Sequence, residues 1–384
     1  MRFHVVGLPH TQTSKRHTAC AFTIKILRFI RMMHSLGHEV IHYGAENSEV
    51  SNWAEDVPVL SAKEQEGWFG KFDISKLYKA DWTGKAIYWK LLNERSAAEI
   101  KKRQRKGDFV CVIMGTLNQP LARLMDRSVQ VVEYGIGYNG TFANYRVFES
   151  YAHMHKIWGV QGSFDPDGKF YDVVIPNYLD PEEYPYQAEK KDYYLYLGRL
   201  VRRKGLEIAV ETTRRVGAKL ILAGQGVKKV EGNKIHCDDG SVWQGDHLEY
   251  VGPAIGEKRA QLYQNAKAVF VPTLYIEPFG TVAVEAQMCG TPAITTDFGV
   301  FPETVEHGKT GFRCHTLDQF VWAAKHVGEI DPWYTHQRAV LNYSMDRIRY
   351  KYQEYFEMLS DLYGKGWYEV HEDRKNLDWL RFYP

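Results

Sequence analysis

The sequence predicts an α/β protein built from two Rossmann-like domains in tandem, and three observations support this prediction. Short apolar runs alternate with helical patterns along the whole chain, which is typical of parallel sheets covered by helices. The alternation stops once, at a polar stretch with prolines, and then restarts. The length of 384 residues suits two domains, at about 100–200 residues per domain.

A strand, a helix and a second strand open the first half. Residues 3–8 (FHVVGL) and 38–44 (HEVIHYG) are strand-like, and residues 21–35 carry apolar side chains at helical spacing. Such a unit favours a parallel sheet. Further strands are predicted at residues 109–115, 129–135, 156–160 and 173–177. The first domain is predicted to cover residues 1–182.

A polar linker is predicted at residues 179–192, and the alternation resumes after it. The second domain is predicted to cover residues 190–345. Its elements are strands at 193–200, 219–226, 248–252, 268–273 and 292–296, with a helix at 205–217. A long helix at 347–367 opens a C-terminal segment, residues 346–384.

Composition and charge exclude several classes of protein. The hydrophobic fraction of 44% and the charged fraction of 25% argue against a disordered chain, a collagen-like chain and a small disulfide scaffold. The 49 basic and 47 acidic residues give a net charge of +2, so there is no global signature of polyanion binding. The aromatic fraction of 14% suits stacking on sugars or bases, and it suits core packing equally.

The cysteines and the hydropathy predict a cytoplasmic protein. The five cysteines are odd in number and none has metal-ligand spacing, so we expect free thiols in a reducing compartment. No apolar run approaches the ~18 residues of a membrane span, and the opening MRFHVVGL reads as a strand rather than a secretory signal. Peripheral contact with a membrane remains open.

The segment GRLVRRKG, residues 198–205, follows a predicted strand and opens a predicted helix. A glycine turn at a helix start exposes backbone N–H groups to an anion. Arg199 and Lys204 add charged donors suited to two adjacent phosphates. An ordinary strand–loop–helix turn with solvated arginines is the alternative. A Walker A loop is absent.

Two carboxylates, Glu277 and Glu285, lie eight residues apart across a loop and the start of a helix. Gly280 and Thr281 stand where this helix begins, so their amides are placed to face a phosphate. Glu277 is expected to face a sugar, and Glu285 to reach a ribose diol. The alternative is a surface pair, with Glu285 near a helix start because of the helix dipole.

These segments together resemble a known family. Residues 194–312 resemble the C-terminal half of a GT-B glycosyltransferase of family 4, glycosyl transferases group 1. The matching segments, in the family's order, are GRLVRRKG, LILAGQG, YVG, LYQNAKAVFVPT, EPFGTVAVEAQMCGTP and ETVEHGKTGF. VIPNYLD resembles the family's linker entry, and LRFIRMMHSLGHEV its first helix and second strand.

The resemblance implies a fold and a reaction. It implies two Rossmann-like domains facing across a cleft, the first binding an acceptor and the second a nucleotide sugar, with the C-terminal helix crossing back to the first domain. It implies metal-independent transfer with retention, from a UDP- or GDP-sugar to a hydroxyl. No cofactor is implied, because the donor is a substrate. The acceptor is expected to be a glycan.

The resemblance also implies roles for single residues. Glu277, Arg199 and Lys204 are the catalytic set, in which the two cations grip the diphosphate and Glu277 contacts the donor sugar. The donor-binding set adds the ribose contact, the distal-phosphate amides and the neighbouring loops: Gly198, Phe279, Gly280, Thr281, Glu285, Gly7 and Pro9.

Three departures from the family pattern are present. The first loop lacks the usual Gly-Gly pair, and its residues His10 and Thr11 become candidates for contact with donor or acceptor. Glu133 and Tyr134 stand at a strand end and are candidates for contact with the acceptor. Val300 replaces a second glycine, which puts close backbone approach there in doubt.

Other functions remain open at this point. Residues 9–25 resemble the start of phage-type relatives, which suggests a hydroxylated DNA base as acceptor and the basic run 101–106 as a phosphate track. A lipid-linked acceptor is a further alternative. A nucleotide-sugar binding module or an epimerase would need no transfer. Asp165 and Asp167 match a D-x-D metal signature, although Asp-Pro-Asp-Gly is also a turn sequence.

Overall fold

A seven-stranded sheet forms the centre of the first domain in the computed structural model, which describes residues 1–17, 20–74, 80–162 and 171–361. The strands are β1 (Arg2–Val6), β2 (Glu39–Ala45), β3 (Glu55–Leu60), β4 (Phe109–Val112), β5 (Gln130–Ile136), β6 (Tyr145–Phe148) and β7 (Asp172–Val174). They lie in the order β3–β2–β1–β4–β5–β6–β7, and all six pairings are parallel. The direction of the chain therefore reverses between β1 and β4, which is the switch point of a doubly wound sheet.

Five helices connect these strands. They are α1 (Ala21–Ser35), α2 (Ala62–Phe69), α3 (Ile87–Arg103), α4 (Gln119–Leu124) and α5 (Tyr151–Gln161). The bounds of α1 are those of the predicted helix, because its apolar side chains recur on one face and are buried. α2 begins with a capping box, in which the Ser61 hydroxyl accepts from the Glu64 N–H and the Glu64 carboxylate accepts from the Ser61 N–H.

A six-stranded parallel sheet forms the second domain. Its strands in chain order are β8 (Tyr194–Leu197) and β9 (Leu220–Ala223), then β13 (Leu248–Tyr250), β14 (Ala268–Val271), β15 (Ala293–Thr296) and β16 (Gly311–Cys314); the three strands between β9 and β13 form a separate sheet, described below. Their order, β13–β9–β8–β14–β15–β16, repeats the doubly wound pattern. The helices are α6 (Leu206–Val216), α7 (Gly256–Asn265), α8 (Thr281–Met288), α9 (Phe301–Thr304), α10 (Leu317–His326) and α11 (Pro332–Tyr343). The predicted α/β class with two Rossmann-like domains is confirmed.

A small antiparallel sheet interrupts the second domain between β9 and β13. It consists of β10 (Val227–Glu231), β11 (Lys234–Cys237) and β12 (Val242–Gln244). The sequence analysis did not predict it, because its strands are short and rich in lysine and glutamate. The side chains of Ile235 and Cys237 on β11 anchor it to one of the two core clusters of the second domain.

The chain crosses between the domains twice, and the two crossings are hydrogen-bonded to each other. The Leu179 N–H donates to the Tyr343 carbonyl at 2.8 Å, and the Met345 N–H donates to the Leu179 carbonyl at 2.8 Å. The final helix, α12 (Met345–Asp361), then packs on the first domain, where Tyr352 and Phe356 join the core cluster. The Phe356 ring lies 4.7 Å from that of Phe3.

One predicted strand is wrong, and two predictions lie outside the described residues. Residues 156–160 form the end of helix α5, because the Ser150 hydroxyl caps this helix by accepting from the His153 N–H at 3.1 Å. The strand of this region is β6, earlier in the chain. Asp165 and Asp167 lie outside the described residues, as does the chain beyond residue 361. Within the described ranges, the helices are too short or too polar to cross a membrane.

Candidate active site

The predicted catalytic residues meet at the carboxyl ends of β8 and β14, on either side of the switch point of the second sheet. β8 leads into Gly198 and Arg199, and β14 leads into the loop that carries Glu277. Ligands of doubly wound sheets bind in the crevice at this point, because loops diverge to opposite faces there. A cavity of about 610 Å³ opens at this place.

Lys204 and Glu277 form an ion pair in the wall of this cavity. The Lys204 Nζ lies 2.5 Å from the Glu277 Oε1, which also accepts from the Thr273 hydroxyl at 3.1 Å. The ammonium group lies 5.1 Å from the centre of the Tyr275 ring. Burial opposes the charge of Lys204, but Glu277 more than offsets it and holds the pKa of the lysine above its ordinary value. Lys204 is therefore a cation at neutral pH.

Lys204 is placed by the glycine that follows it. Lys204 ends a 3₁₀ turn, residues 202–204, and Gly205 then starts α6 with φ of 71°, in the left-handed region. A Cβ at this position would lie 1.8 Å from the Pro272 carbonyl oxygen at the end of β14. The glycine thus lets the lysine turn pass close to the loop that carries Glu277.

The start of α8 contributes backbone N–H groups to the same cavity. Gly280, with φ of 72°, precedes the helix, and no side chain caps the helix start. Gly280 and Thr281 both line the cavity, and the Thr281 hydroxyl accepts from the Asn177 amide at 3.3 Å. An uncapped helix start with amides facing a cavity favours an anion.

Glu285 is held by donors from three directions. Its Oε1 accepts from the Tyr184 hydroxyl at 2.7 Å, and its Oε2 accepts from the Tyr263 hydroxyl at 2.7 Å. The Arg259 guanidinium donates two hydrogen bonds to Oε2, the one from Nε at 3.0 Å. Burial opposes the charge of Arg259, and Glu285 raises the pKa of the arginine above its ordinary value. The carboxylate is thus fixed at the cavity wall, with lone pairs of Oε1 still available to a ligand hydroxyl.

Gly198 and Arg199 line the cavity, whereas Phe279 does not reach it. The Gly198 carbonyl oxygen would lie 1.8 Å from a Cβ at Gly224, so the loops after β8 and β9 touch through their backbones. The Phe279 side chain is buried in the core and packs edge-on against Tyr343, with ring centres 5.4 Å apart. A role of Phe279 with the donor is therefore restricted to its backbone.

The predicted residues of the first loop divide into two groups. Gly7 and Pro9 support packing: a Cβ at Gly7 would lie 2.9 Å from His42 Nε2, and the Pro9 carbonyl accepts from Gln65 at 3.0 Å. His10 lines a second cavity, of about 1050 Å³, between the domains. Thr11 is buried, with its hydroxyl 2.6 Å from that of Thr23 on α1.

Glu133 and Tyr134 are not brought to either cavity. Glu133 is fully buried, and its Oε2 accepts from the N–H groups of Phe142 and Ala143 at 2.9 and 2.8 Å. Burial raises the pKa of its carboxyl group. The Tyr134 ring stacks on Phe29 at 4.2 Å inside the core. The contact with the acceptor that was expected of these two residues is not possible in this arrangement, because their side chains point into the first domain.

Several residues of the site were missed by the sequence analysis. Arg28 of α1 lines the cavity around Lys204. Its guanidinium donates to the Tyr178 carbonyl at 3.2 Å and to Glu183 at 2.6 Å. Arg259 holds Glu285 as described. The sequence offered one signal for Arg28: it lies on the apolar face of a predicted helix, and a buried cation needs partners.

Glu303, the first residue of the segment ETVEHGKTGF, has a partner in the other domain. Its carboxylate accepts from the backbone N–H of Tyr151 at 2.9 Å and of Ala152 at 2.8 Å, at the start of α5. The residues just before it in the chain, Val300 and Phe301, pack against Gly280 at the start of α8. Glu303 therefore connects the segment that packs on the start of α8 to the first domain.

Comparisons with known proteins agree with this arrangement. Residues 184–327 match the family model of glycosyl transferases group 1. An uncharacterised glycosyltransferase of Methanocaldococcus jannaschii is 26% identical over 187 residues, which cover 44% of this chain and 46% of that relative. The chain thus matches less than half the length of this curated relative.

Two solved structures resemble almost the whole chain. AviGT4, a glycosyltransferase involved in avilamycin A biosynthesis, has a TM-score of 0.65 at 18% identity and covers 94% of this chain and 98% of its own. Anabaena HepE, solved in complex with UDP and glucose, has a TM-score of 0.60 at 13% identity, covering 93% and 99%. At these identities the likeness concerns the fold. Residues 184–327 thus match glycosyl transferases group 1, and the chain as described has the GT-B fold.

Proposed function

We propose that this protein is a retaining glycosyltransferase that moves a sugar from a nucleoside-diphosphate sugar to a hydroxyl of a glycan. The observation that carries the proposal is the Lys204–Glu277 ion pair, set beside Arg199 and the open start of α8 in one cavity. Two cations, aligned backbone N–H groups and a carboxylate are what a diphosphate bonded to a sugar requires.

The proposed chemistry needs stabilisation of the leaving group above all. The bond between the anomeric carbon and the diphosphate oxygen breaks, and negative charge develops on that oxygen. Lys204, Arg199 and the start of α8 stabilise this charge, and they are positioned before the reaction begins. The acceptor oxygen attacks from the face that the diphosphate leaves, and its proton passes to a phosphate oxygen. Glu277 contacts the sugar while it passes through an oxocarbenium-like state.

The distribution of basic residues favours a glycan over DNA as acceptor. The basic run 101–106 begins in the last turn of α3, where the Arg103 carbonyl accepts from Arg2 at the start of β1. This is the amino end of the sheet, whereas the cavities lie at its carboxyl end. Lys15 and Arg16, nearer the cavities, each lie 3.7 Å from a glutamate, Glu183 and Glu49. A continuous phosphate track is therefore not formed by these residues.

The donor is proposed to be a UDP- or GDP-sugar, bound without a metal ion or other cofactor. The structure of HepE with UDP and glucose supports a UDP-sugar, as a fold relative. In the chain as far as it is described, His, Cys, Asp and Glu do not form a group of three suited to a metal ion. Lys204 and Arg199 supply positive charge where a divalent ion would otherwise be needed.

The proposal is tested by nucleotide release from UDP-, GDP- and ADP-sugars, with neutral glycans or duplex DNA as acceptors, in buffer with EDTA. The expected result is nucleotide release from one donor, at a rate that a glycan increases and EDTA leaves unchanged. NMR of the product is expected to show that the anomeric configuration of the sugar is retained. Release that is lost in EDTA would contradict metal independence. Tight nucleotide binding without any release would contradict transfer and favour a binding module.

A further inference from the structure

The second cavity lies between the domains and is lined by both. Its volume is about 1050 Å³, against about 610 Å³ for the cavity around Lys204. The two cavities adjoin, because Ile74 and Gln225 line the smaller one while their neighbours Asp73 and Gly226 line the larger. The Gln225 amide donates to the Ile74 carbonyl at 2.7 Å at this boundary. A molecule in the larger cavity would thus lie beside a donor bound in the smaller one, with the Gln225–Ile74 hydrogen bond between them.

The wall of this cavity in the first domain is aromatic. Trp68 and Phe69 at the end of α2, and Phe72 after it, line the cavity together with His10. Trp68 is partly exposed, and its ring centre lies 5.8 Å from that of Tyr88. A partly exposed aromatic ring in a cavity wall suits the apolar C–H face of a sugar ring, because that contact buries area without leaving polar groups unpaired.

The charges around this cavity do not favour a polyanion. Its described lining includes two lysines, Lys71 and Lys228, and three carboxylates, Glu66, Asp73 and Asp238. Burial lowers the pKa of His10, which also lines the cavity, to about 4, so that it is uncharged at neutral pH. Because the lysines and carboxylates of this lining nearly balance, a neutral ligand loses the least solvation free energy when it enters the cavity.

The opposite wall is formed by the small antiparallel sheet. Val227 and Lys228 of β10, with Asp238 just after β11, face the first domain across the cavity. The sheet is anchored to the core of the second domain, so its distance from the aromatic wall would change if the two domains moved relative to each other.

We propose that this cavity is the acceptor site and that it takes a neutral oligosaccharide, held between the aromatic wall with Trp68 and the sheet β10–β12 of the second domain. The proposal rests on the proposed glycosyl transfer and adds the place and the chemistry of the acceptor. It assigns recognition of the acceptor to both domains. The inserted sheet then has a role that the nucleotide-sugar site does not require.

The test uses the full chain in the presence of UDP on an array of neutral oligosaccharides, anionic oligosaccharides and duplex DNA. The variants are Trp68→Ala and Lys228→Ala. Trp322→Ala and Lys229→Ala are matched controls, since Trp322 is half exposed on α10 and Lys229 pairs with Glu231, both outside the cavity lining. Thermal unfolding and UDP binding of all four variants show whether the fold and the donor site remain intact.

We expect the wild-type protein to bind neutral oligosaccharides. The affinity should fall about tenfold or more in Trp68→Ala, because a stacked ring is lost, and it should also fall measurably in Lys228→Ala. Both control variants should bind as the wild type does. Equal binding by Trp68→Ala and Trp322→Ala would overturn the proposal, as would a preference for DNA or anionic glycans or the absence of glycan binding. Nucleotide release from the donor without acceptor is measured in parallel. Release that persists while the array result fails leaves the proposed function standing and removes only this inference.

Discussion

Glu303 of the second domain caps a helix of the first domain by accepting the backbone N–H of Tyr151 at 2.9 Å. The same carboxylate accepts from Ala152, so both of the first two amides of α5 are satisfied across the domain boundary. Negative charge at a helix start is favourable. Because Phe301, two residues earlier, packs on Gly280, the cap also determines how the start of α8 is placed relative to the first domain.

Glu303→Ala is expected to loosen the contact between the domains. Loss of this cap costs about 1 kcal/mol in the free energy of unfolding, and the domains separate further. Small-angle X-ray scattering checks the separation, with and without UDP. Glu306→Ala is the control, because the partners of Glu306, including Lys309 and Tyr334, lie in the second domain. Identical scattering from both variants would contradict the assigned cap.

Lys204→Ala and Glu277→Ala are each expected to lower transfer strongly while the fold remains intact. Removal of one preorganised group that stabilises developing charge costs about 100-fold or more in kcat. The measurement is kcat with saturating donor, alongside circular dichroism. Arg202→Ala is a control in the same turn, since Arg202 is exposed and outside the cavity lining. Wild-type rates from either variant would refute the site.

Glu285→Ala is expected to reduce stability as well as nucleotide binding. The substitution leaves the mostly buried Arg259 guanidinium without its carboxylate, which costs about 3 kcal/mol. Glu285→Gln keeps the shape and one acceptor oxygen, so it separates the loss of charge from the loss of packing. Urea unfolding and calorimetry with UDP and GDP measure the two effects. Glu257→Ala, exposed on α7, is expected to change neither.

Gly205→Ala and Gly217→Ala form a matched pair at the two ends of α6. Both glycines have positive φ, of 71° and 66°, so each substitution carries the strain of a left-handed alanine, about 1 kcal/mol. Only at Gly205 would the new Cβ meet the Pro272 carbonyl, at 1.8 Å, whereas the space at Gly217 is open. We expect Gly205→Ala to be much the less stable in urea and to lose transfer. Equal urea midpoints for Gly205→Ala and Gly217→Ala would contradict close approach to Pro272 as the reason for a glycine at position 205.

Stability is expected to fall as the pH is lowered from 6.5 towards 4. Burial lowers the pKa of His10 and of His153 to about 4, so the unfolded chain, with ordinary values near 6.5, binds more protons in this window. Each histidine then costs about 2 kcal/mol of stability at pH 5 relative to neutral pH. Urea unfolding at pH 7.5 and 5 measures the loss. It should be smaller in His153→Gln and unchanged in the exposed control His155→Gln.

The placement of the loops that carry Lys204 and Glu277 was predictable because the parts of each loop are local in sequence. A strand, a glycine turn and a helix start bring Arg199 and Lys204 to the end of one strand, and the same pattern brings Glu277 and Gly280 to the end of another. Parallel strands on either side of a switch point place those ends side by side. The pairing of Lys204 with Glu277 follows from that topology.

The rest of the site depends on contacts between distant segments. Glu133 was expected at a strand end, but it lies within β5, and its carboxylate accepts from the N–H groups of Phe142 and Ala143 in the interior. No local pattern in the sequence indicates these two donors. The donors to Glu285 and the partner of Glu303 lie 22 to 152 residues away. Residues 156–160 were mistaken for a strand because a short apolar run has no clear period.

The return of α12 to the first domain has a consequence for the order in which the chain is synthesised. Phe356 fills the space beside Phe3 and Phe109, yet it leaves the ribosome only after the whole second domain. Amino-terminal domains commonly fold first during translation. Here the nascent first domain must wait with an aromatic surface uncovered while some 170 further residues appear, roughly ten seconds or more at usual elongation rates. Completion of its core is thereby coupled to synthesis of the second domain, and a chain stopped after the linker would present that surface to chaperones.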